Sequence, residues 1–258
     1  MKLREIFRFE FVYQARRLRT WLYFVVLFVV AYGLRDGVTN SPFAIAQETI
    51  LTTLLWVLMA PAVAGSAAAR DAQTRMDPLI YTAPISKADY LGGRFLAAFV
   101  LNALILLAVP LAMLATLLFS AKPELVSPFR PAVYLSSYGV LALPTAFIFT
   151  ALQFSLAALK RRAVVSYLGT VLFFVIVGAA VGMITNVLHM PTLGKMLDPT
   201  VRLNVLVLMA DTFTPLQMNT VLIGLERSIL ANRLLWMGVA VAILAFTHHR
   251  VRLGHRAG

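Results

Sequence analysis

The chain has 258 residues, 60% of them hydrophobic and 13% charged, with a mean hydropathy of +0.82. A soluble domain carries about 25% charged residues, so lipid must be the solvent that hides this much apolar surface. The net charge is +12 and cysteine is absent, which excludes disulfides, thiolate zinc sites and cysteine nucleophiles.

Residues 1–19 read as an interfacial helix. On a helical wheel Leu3, Ile6, Phe7, Phe11 and Leu18 share one side and Arg4, Glu5, Arg8, Arg16 and Arg19 the other, with Glu10 and Gln14 interrupting the apolar stripe. The first apolar run starts only after Arg19, with no small-residue cleavage site behind it, so it is expected to stay as a span and not to be a signal peptide.

Six runs lack Asp, Glu, Lys and Arg: Thr20 to Leu34, Thr49 to Ala69, Phe95 to Ala121, Pro131 to Leu159, Ala163 to Gly194, and Leu234 to His249. A bilayer core of ~30 Å needs ~20 helical residues. The first and last runs are short and span only if Arg17, Arg19, Arg35 and Arg233 snorkel to the headgroups. The expected fold is therefore all-α and polytopic, a single transmembrane domain over 1–258 with about six spans.

With the N-terminus inside, sixteen basic residues lie on the cytoplasmic side and seven on the other. That bias predicts a cytoplasmic-membrane protein with both termini inside. It also explains the basic blocks without a nucleic-acid partner. Trp21, Tyr23, Tyr134 and Trp236 sit at run edges, where both interfacial anchoring and ordinary packing are open.

Between the second and third runs, 70–94 reads RDAQTRMDPLIYTAPISKADYLGGR. Asp77-Pro78 is a helix start. Leu79, Ile80 and Tyr81 follow as an apolar turn, and Ala83-Pro84 redirects the chain. Ser86 to Asp89 has the spacing of a helix cap ahead of the third run. Met76, Leu79, Ile80 and Tyr81 held outside lipid suggest a docking surface. The segment 190–233 is long, and its apolar stretches 205–209 and 220–225 predict short helices; Asp211, Pro215 and Glu226 divide it too finely for a seventh span.

No enzyme signature is present. The four histidines, His189, His248, His249 and His255, have no HExxH partner, and there is neither a GxxxxGK[ST] phosphate loop nor a GxSxG elbow. Asn102, Thr145, Thr150, Gln153, Ser155 and Asn186 are the polar groups of the spans. They suit helix–helix hydrogen bonds or a weakly polar path. Uncharged spans lower the expectation of a self-powered carrier.

The basic helix Arg4 to Trp21, the phrase Leu79-Ile-Tyr-Thr-Ala-Pro84-Ile-Ser86-Lys-Ala-Asp-Tyr90-Leu-Gly-Gly-Arg94 and the long loop before the last span together resemble the ABC-2-type permease family. Arg94 stands where that family more often has Lys. The resemblance implies a cytoplasmic coupling helix that docks a separate nucleotide-binding ATPase subunit through Met76, Asp77, Leu79, Ile80 and Tyr81, with Pro84 as pivot and Arg4, Arg8 and Glu10 as a second brace. It further implies a second permease copy or a related half. It implies no cofactor on this chain, with ATP and Mg on the partner. The alternatives are a membrane-embedded enzyme and a non-transporting scaffold or assembly factor.

Overall fold

A computed structural model describes residues 2–34, 40–76, 85–119 and 128–251. Among the described residues the chain is helical, without strands. The principal helices are α1 (Lys2–Ala15), α2 (Leu18–Gly33), α3 (Pro42–Met59), α4 (Pro61–Gln73), α5 (Lys87–Leu106) and α6 (Ala108–Leu118). They continue with α7 (Pro131–Ser136), α8 (Leu143–Lys160), α9 (Val164–Asn186), α10 (Pro191–Leu197), α11 (Pro215–Thr220) and α12 (Arg227–Arg250).

Several of these join end to end. Pro42–Gln73, Lys87–Leu118, Pro131–Lys160, Val164–Asn186 and Arg227–Arg250 are five helical stretches long and apolar enough to cross a membrane. Each contains or overlaps one of the uncharged runs. They fit a multi-pass membrane protein. α2 has 16 residues, which at 1.5 Å per residue is about 24 Å, short of the ~30 Å hydrocarbon core.

Burial separates two kinds of span. Trp56, Phe149, Phe154 and Leu106 lie fully buried in one core shared by α3, α4, α5, α6 and α8. α9 behaves oppositely: Leu168, Val171, Leu172, Val175, Ile176 and Met183 all face outward. In water so continuous an apolar face would be costly; against lipid tails or another apolar helix it is not.

Two of the spans are interrupted, one of them at a proline, and polar side chains of the 131–160 stretch repair both breaks. Pro61 lacks the amide that would reach the carbonyl of Val57, four residues back. Gln153 Nε2 donates to that carbonyl at 3.0 Å. In the next stretch the amide of Leu107 turns back to Leu104 instead of Ala103, and Tyr138 Oη donates to the freed Ala103 carbonyl at 2.7 Å. Tyr138 itself stands in a π-helical turn, Ser137–Ala142, ahead of Pro144, whose ring cannot follow a regular turn. Asn102 Nδ2 donates to Thr150 Oγ1 at 3.0 Å. Helix–helix bonding is thus the role of Asn102, Thr150 and Gln153.

Pairings also define the two ends of the bundle. At one end α1 meets the end of α4 and the start of α5, and Lys87 Nζ reaches the carbonyl of His249 at the close of α12 (3.3 Å). At the other, Asn40 Nδ2 bonds the carbonyl of Pro128 (3.1 Å) and Asn232 of α12 bonds the 195–198 turn. The segment before α12 does contain short helices: α10, a π-helical stretch Leu203–Met209, α11 and a 3-10 turn Ile223–Leu225. Val205, Met209 and Ile223 are buried there with Ile50 and Leu141 in a second, smaller cluster.

Three expectations are corrected by the helix ends and by Arg233. The helix over 1–19 ends at Ala15 and α2 begins at Leu18; Leu18 is 85% exposed and belongs to no buried face. The helix of the second uncharged run does not end at Ala69, because α4 runs on through Arg70 to Gln73; α5 starts at Lys87, as the 86–89 cap predicts. Arg233 does not snorkel: it is 3% exposed and turns inward, because Thr145 and the Pro199 carbonyl offer it hydrogen bonds. Of the two roles left open for Tyr134 and Trp236, both take the inward one, bonding Asn40 and the Met196 carbonyl.

Candidate functional site

The most concentrated polar chemistry lies where α1, α4 and α5 meet. α1 is 14 residues long, and a helix of that length is marginal alone in water, so tertiary contacts must hold it. Its buried residues are the two polar ones, Glu10 and Gln14. The fourth correction follows: they do not interrupt the packed stripe but form its centre, because their partners are waiting on α4 and α5.

Glu10 is 1% exposed. Its Oε1 accepts from Gln14 Nε2 at 2.8 Å and from Arg70 Nη1 at 3.1 Å. Its Oε2 lies 2.8 Å from Arg70 Nη2 and 3.8 Å from Arg94 Nε. Asp71 Oδ2 accepts from Tyr90 Oη at 2.9 Å and takes a short ion pair from Arg94 Nη2. Arg94 also donates to the carbonyl of Ala67 at 3.0 Å, and Asp71 Oδ1 lies 3.5 Å from Arg70 Nε. Two carboxylates thus face two guanidiniums in a neutral, closed set. Buried charges are tolerated only when paired and hydrogen-bonded in this way.

Aromatic rings complete the enclosure. The Arg70 guanidinium stands 4.2 Å from the Tyr13 ring centroid and that of Arg94 4.7 Å from the Tyr90 centroid, both in cation–π range. Gln14 adds bonds to Ser66 Oγ (3.1 Å) and the Val63 carbonyl (3.3 Å). The last carbonyls of α1 are capped by the next helix: Thr20 Oγ1 donates to Gln14 O and Trp21 Nε1 to Ala15 O, each at 2.8 Å. That fixes the corner between α1 and α2.

Local sequence explains why α5 can take part. Ser86 caps it, its Oγ accepting from the Asp89 amide at 3.0 Å, as the 86–89 spacing predicts. Tyr90 and Arg94, four residues apart, then share one helix face and both reach Asp71. Between them Gly93 lets α1 come close. A Cβ there would stand 3.0 Å from Ile6 Cβ and from the Leu3 carbonyl oxygen. The phrase Tyr-Leu-Gly-Gly-Arg is therefore an attachment for α1.

Of the residues singled out from sequence, Glu10 joins this cluster, while Arg4 and Arg8 are exposed on α1 and have no ion pair among the described residues. Met76 is about half exposed just past α4, its amide bonded to Asp71 O at 2.9 Å. Asp77, Leu79, Ile80, Tyr81 and Pro84 lie outside the described residues. Arg70, Asp71, Tyr90 and Arg94 are the members that sequence reasoning did not bring together; the signal available was charge of both signs flanking two apolar runs, matched by Glu10 on a basic helix.

Chemically the cluster is a clamp. Every charge is neutralised by a neighbour. Among the described residues no group of three His, Cys, Asp or Glu side chains could hold a metal. No family model matches the chain, and no curated protein matches it.

Proposed function

We propose that the chain is the membrane-spanning permease subunit of an ABC-2-type exporter, moving cargo with ATP hydrolysed on a separate nucleotide-binding subunit. In this reading α2 is a sixth span, both termini are cytoplasmic, and α1 lies in the headgroup plane of the cytoplasmic membrane. Coupling falls to the 70–94 segment: Met76, Asp77, Leu79, Ile80 and Tyr81 take the ATPase, and Pro84 is the pivot. A second copy or a related half completes the path.

The observation that carries the reading is the double grip of Glu10. Through Arg70 and Arg94 it ties α1 to α4 and α5, the two helices that flank segment 77–84. A force applied between them meets a clamped unit of three helices, not two loose ends. Such a unit passes displacement on to the spans, because packed helices move as bodies and do not compress. The exposed side of α1, with Arg4 and Arg8, suits the anionic face of a cytoplasmic leaflet.

The test is recovery of the partner. Tagged protein taken from its own membranes in mild detergent should bring down an ATPase with a phosphate loop, and Leu79→Glu should lose that ATPase while still inserting. Recovery of no such ATPase, or equal recovery by Leu79→Glu, overturns the proposal. The first result leaves a non-transporting scaffold as the better reading.

A further inference from the structure

A partly open cavity of about 350 Å³ lies between α3 and α9, at the end of the bundle away from α1. The volume is at the small end of the range for ligand pockets. At ~30 Å³ per water-sized unit it takes about a dozen heavy atoms. Leu54 of α3 with Phe173 and Val181 of α9 make apolar walls, and Asp198, Thr200 and Arg202 form one polar end.

Charge at that end is unbalanced. Asp198 is fully engaged within its own turn: Oδ1 accepts from the Thr200 amide (3.0 Å) and hydroxyl (2.6 Å), and Oδ2 from the Leu203 amide (2.7 Å). Arg202 is exposed, and its guanidinium has no partner among the described residues. Behind the wall stands Arg233, 3% exposed. Its Nη1 donates to Thr145 Oγ1 (3.0 Å) and to the carbonyl of Pro199 (3.1 Å), a lining residue, while Nε and Nη2 find no partner. Two guanidiniums therefore face one carboxylate already committed elsewhere. In a low-dielectric interior, unfilled donors on a buried cation attract an anion strongly.

The backbone holds this end rigidly. Val201, a fully buried β-branched residue, has φ of 61°, a conformation such residues almost never adopt unless their surroundings impose it. It sets Thr200 and Arg202 on the cavity wall. Asn232 of α12 fastens the same turn by donating to the carbonyls of Lys195 (2.8 Å) and Asp198 (2.9 Å).

We infer that this cavity binds a single-chain anionic amphiphile, the alkyl chain between α3 and α9 and the carboxylate or phosphate at Thr200 and Arg202, in the field of Arg233. The inference stands whether or not an ATPase drives the chain. Its ligand comes either from the bilayer as a resident anionic lipid or from outside it as cargo, since both present the same chemistry.

The test uses the purified full chain in nanodiscs of neutral lipid, titrated calorimetrically with decanoic acid, which matches the cavity in size, and with its methyl ester. The acid should bind saturably and roughly tenfold tighter than the ester, the worth of one charge-assisted hydrogen bond. Arg202→Gln should erase that preference while keeping ester binding. Gly178 lines the cavity, and a Cβ on it meets nothing within 4 Å, so Gly178→Leu fills the space without moving backbone and should abolish binding of both probes. Equal affinity for acid and ester, an unchanged preference in Arg202→Gln, or full binding by folded Gly178→Leu overturns the inference. Mass spectrometry of protein from native membranes then separates the sources. A retained single-chain lipid, a fatty acid or lysophospholipid, displaced by the probe marks a resident lipid. Empty protein that fills only on adding probe marks a visiting amphiphile; either result upholds the site.

Discussion

Glu10→Ala removes one of two carboxylates from a buried set that also holds two guanidiniums. Taking one partner from such a pair costs about 3–5 kcal/mol, because the charge left behind is neither solvated nor neutralised. Here the low end applies. Arg70 keeps Asp71 at 3.5 Å and the Tyr13 ring, its side chain is 14% exposed, and Arg94 keeps Asp71 and the Ala67 carbonyl. About 3 kcal/mol corresponds to roughly a hundredfold fall in the ratio of docked to undocked α1. The chain has no cysteine, so a single Ile6→Cys, placed against Gly93, reports undocking by its rate of maleimide labelling. That rate should rise by one to two orders of magnitude when Glu10→Ala is added. A cysteine at exposed Glu5 serves as the control and should not change. Glu10→Gln, which keeps the shape and one of the two acceptor oxygens, should fall between. Equal labelling of Ile6→Cys with and without Glu10→Ala would refute the claim that this carboxylate holds α1.

Gly93→Leu should push α1 from α5 and lower the melting temperature, at a cost of about 1–3 kcal/mol for overpacking. Gly92→Ala, whose Cβ meets Leu3 Cδ1 at an ordinary 3.6 Å, should melt like the parent; equal loss in both would contradict the close approach at Gly93. Tyr90→Phe removes a hydrogen bond to a carboxylate, worth about 1.5–3 kcal/mol, and should destabilise by thermal melting in detergent. No shift would mean that Asp71 is satisfied without it. Arg233→Met should be neutral or stabilising, since an ion with unfilled donors is exchanged for a similar apolar volume. A large loss on melting would show that Arg233 is better compensated than its two bonds suggest.

The spans were legible because a run of some twenty uncharged residues leaves the chain few options in lipid. Ser86 was legible as a cap because the signal lies within one turn of sequence. Ends of helices were less so: Arg70 to Gln73 is polar enough to read as the end of a span, yet it continues α4, and Glu10 of α1, distant in the chain, pairs with Arg70 there. The same non-local compensation hides Arg233, which looks like a boundary residue until Thr145 and the Pro199 carbonyl are brought beside it. A wheel drawn on α1 alone puts Glu10 and Gln14 on the wrong footing for that reason. Hydropathy ranks them as solvent-facing, whereas α4 and α5 supply their partners.

The account turns on α1, α4 and α5 acting as one lever for an outside source of work. Spin labels on Leu118→Cys and Leu188→Cys, exposed positions past the clamp, measure whether that work arrives. With the ATPase partner bound, ATP should shift their separation in the parent protein, and Glu10→Ala should abolish the shift while the partner stays attached. No ATP-dependent shift in the parent, or an undiminished one in Glu10→Ala, would contradict the account.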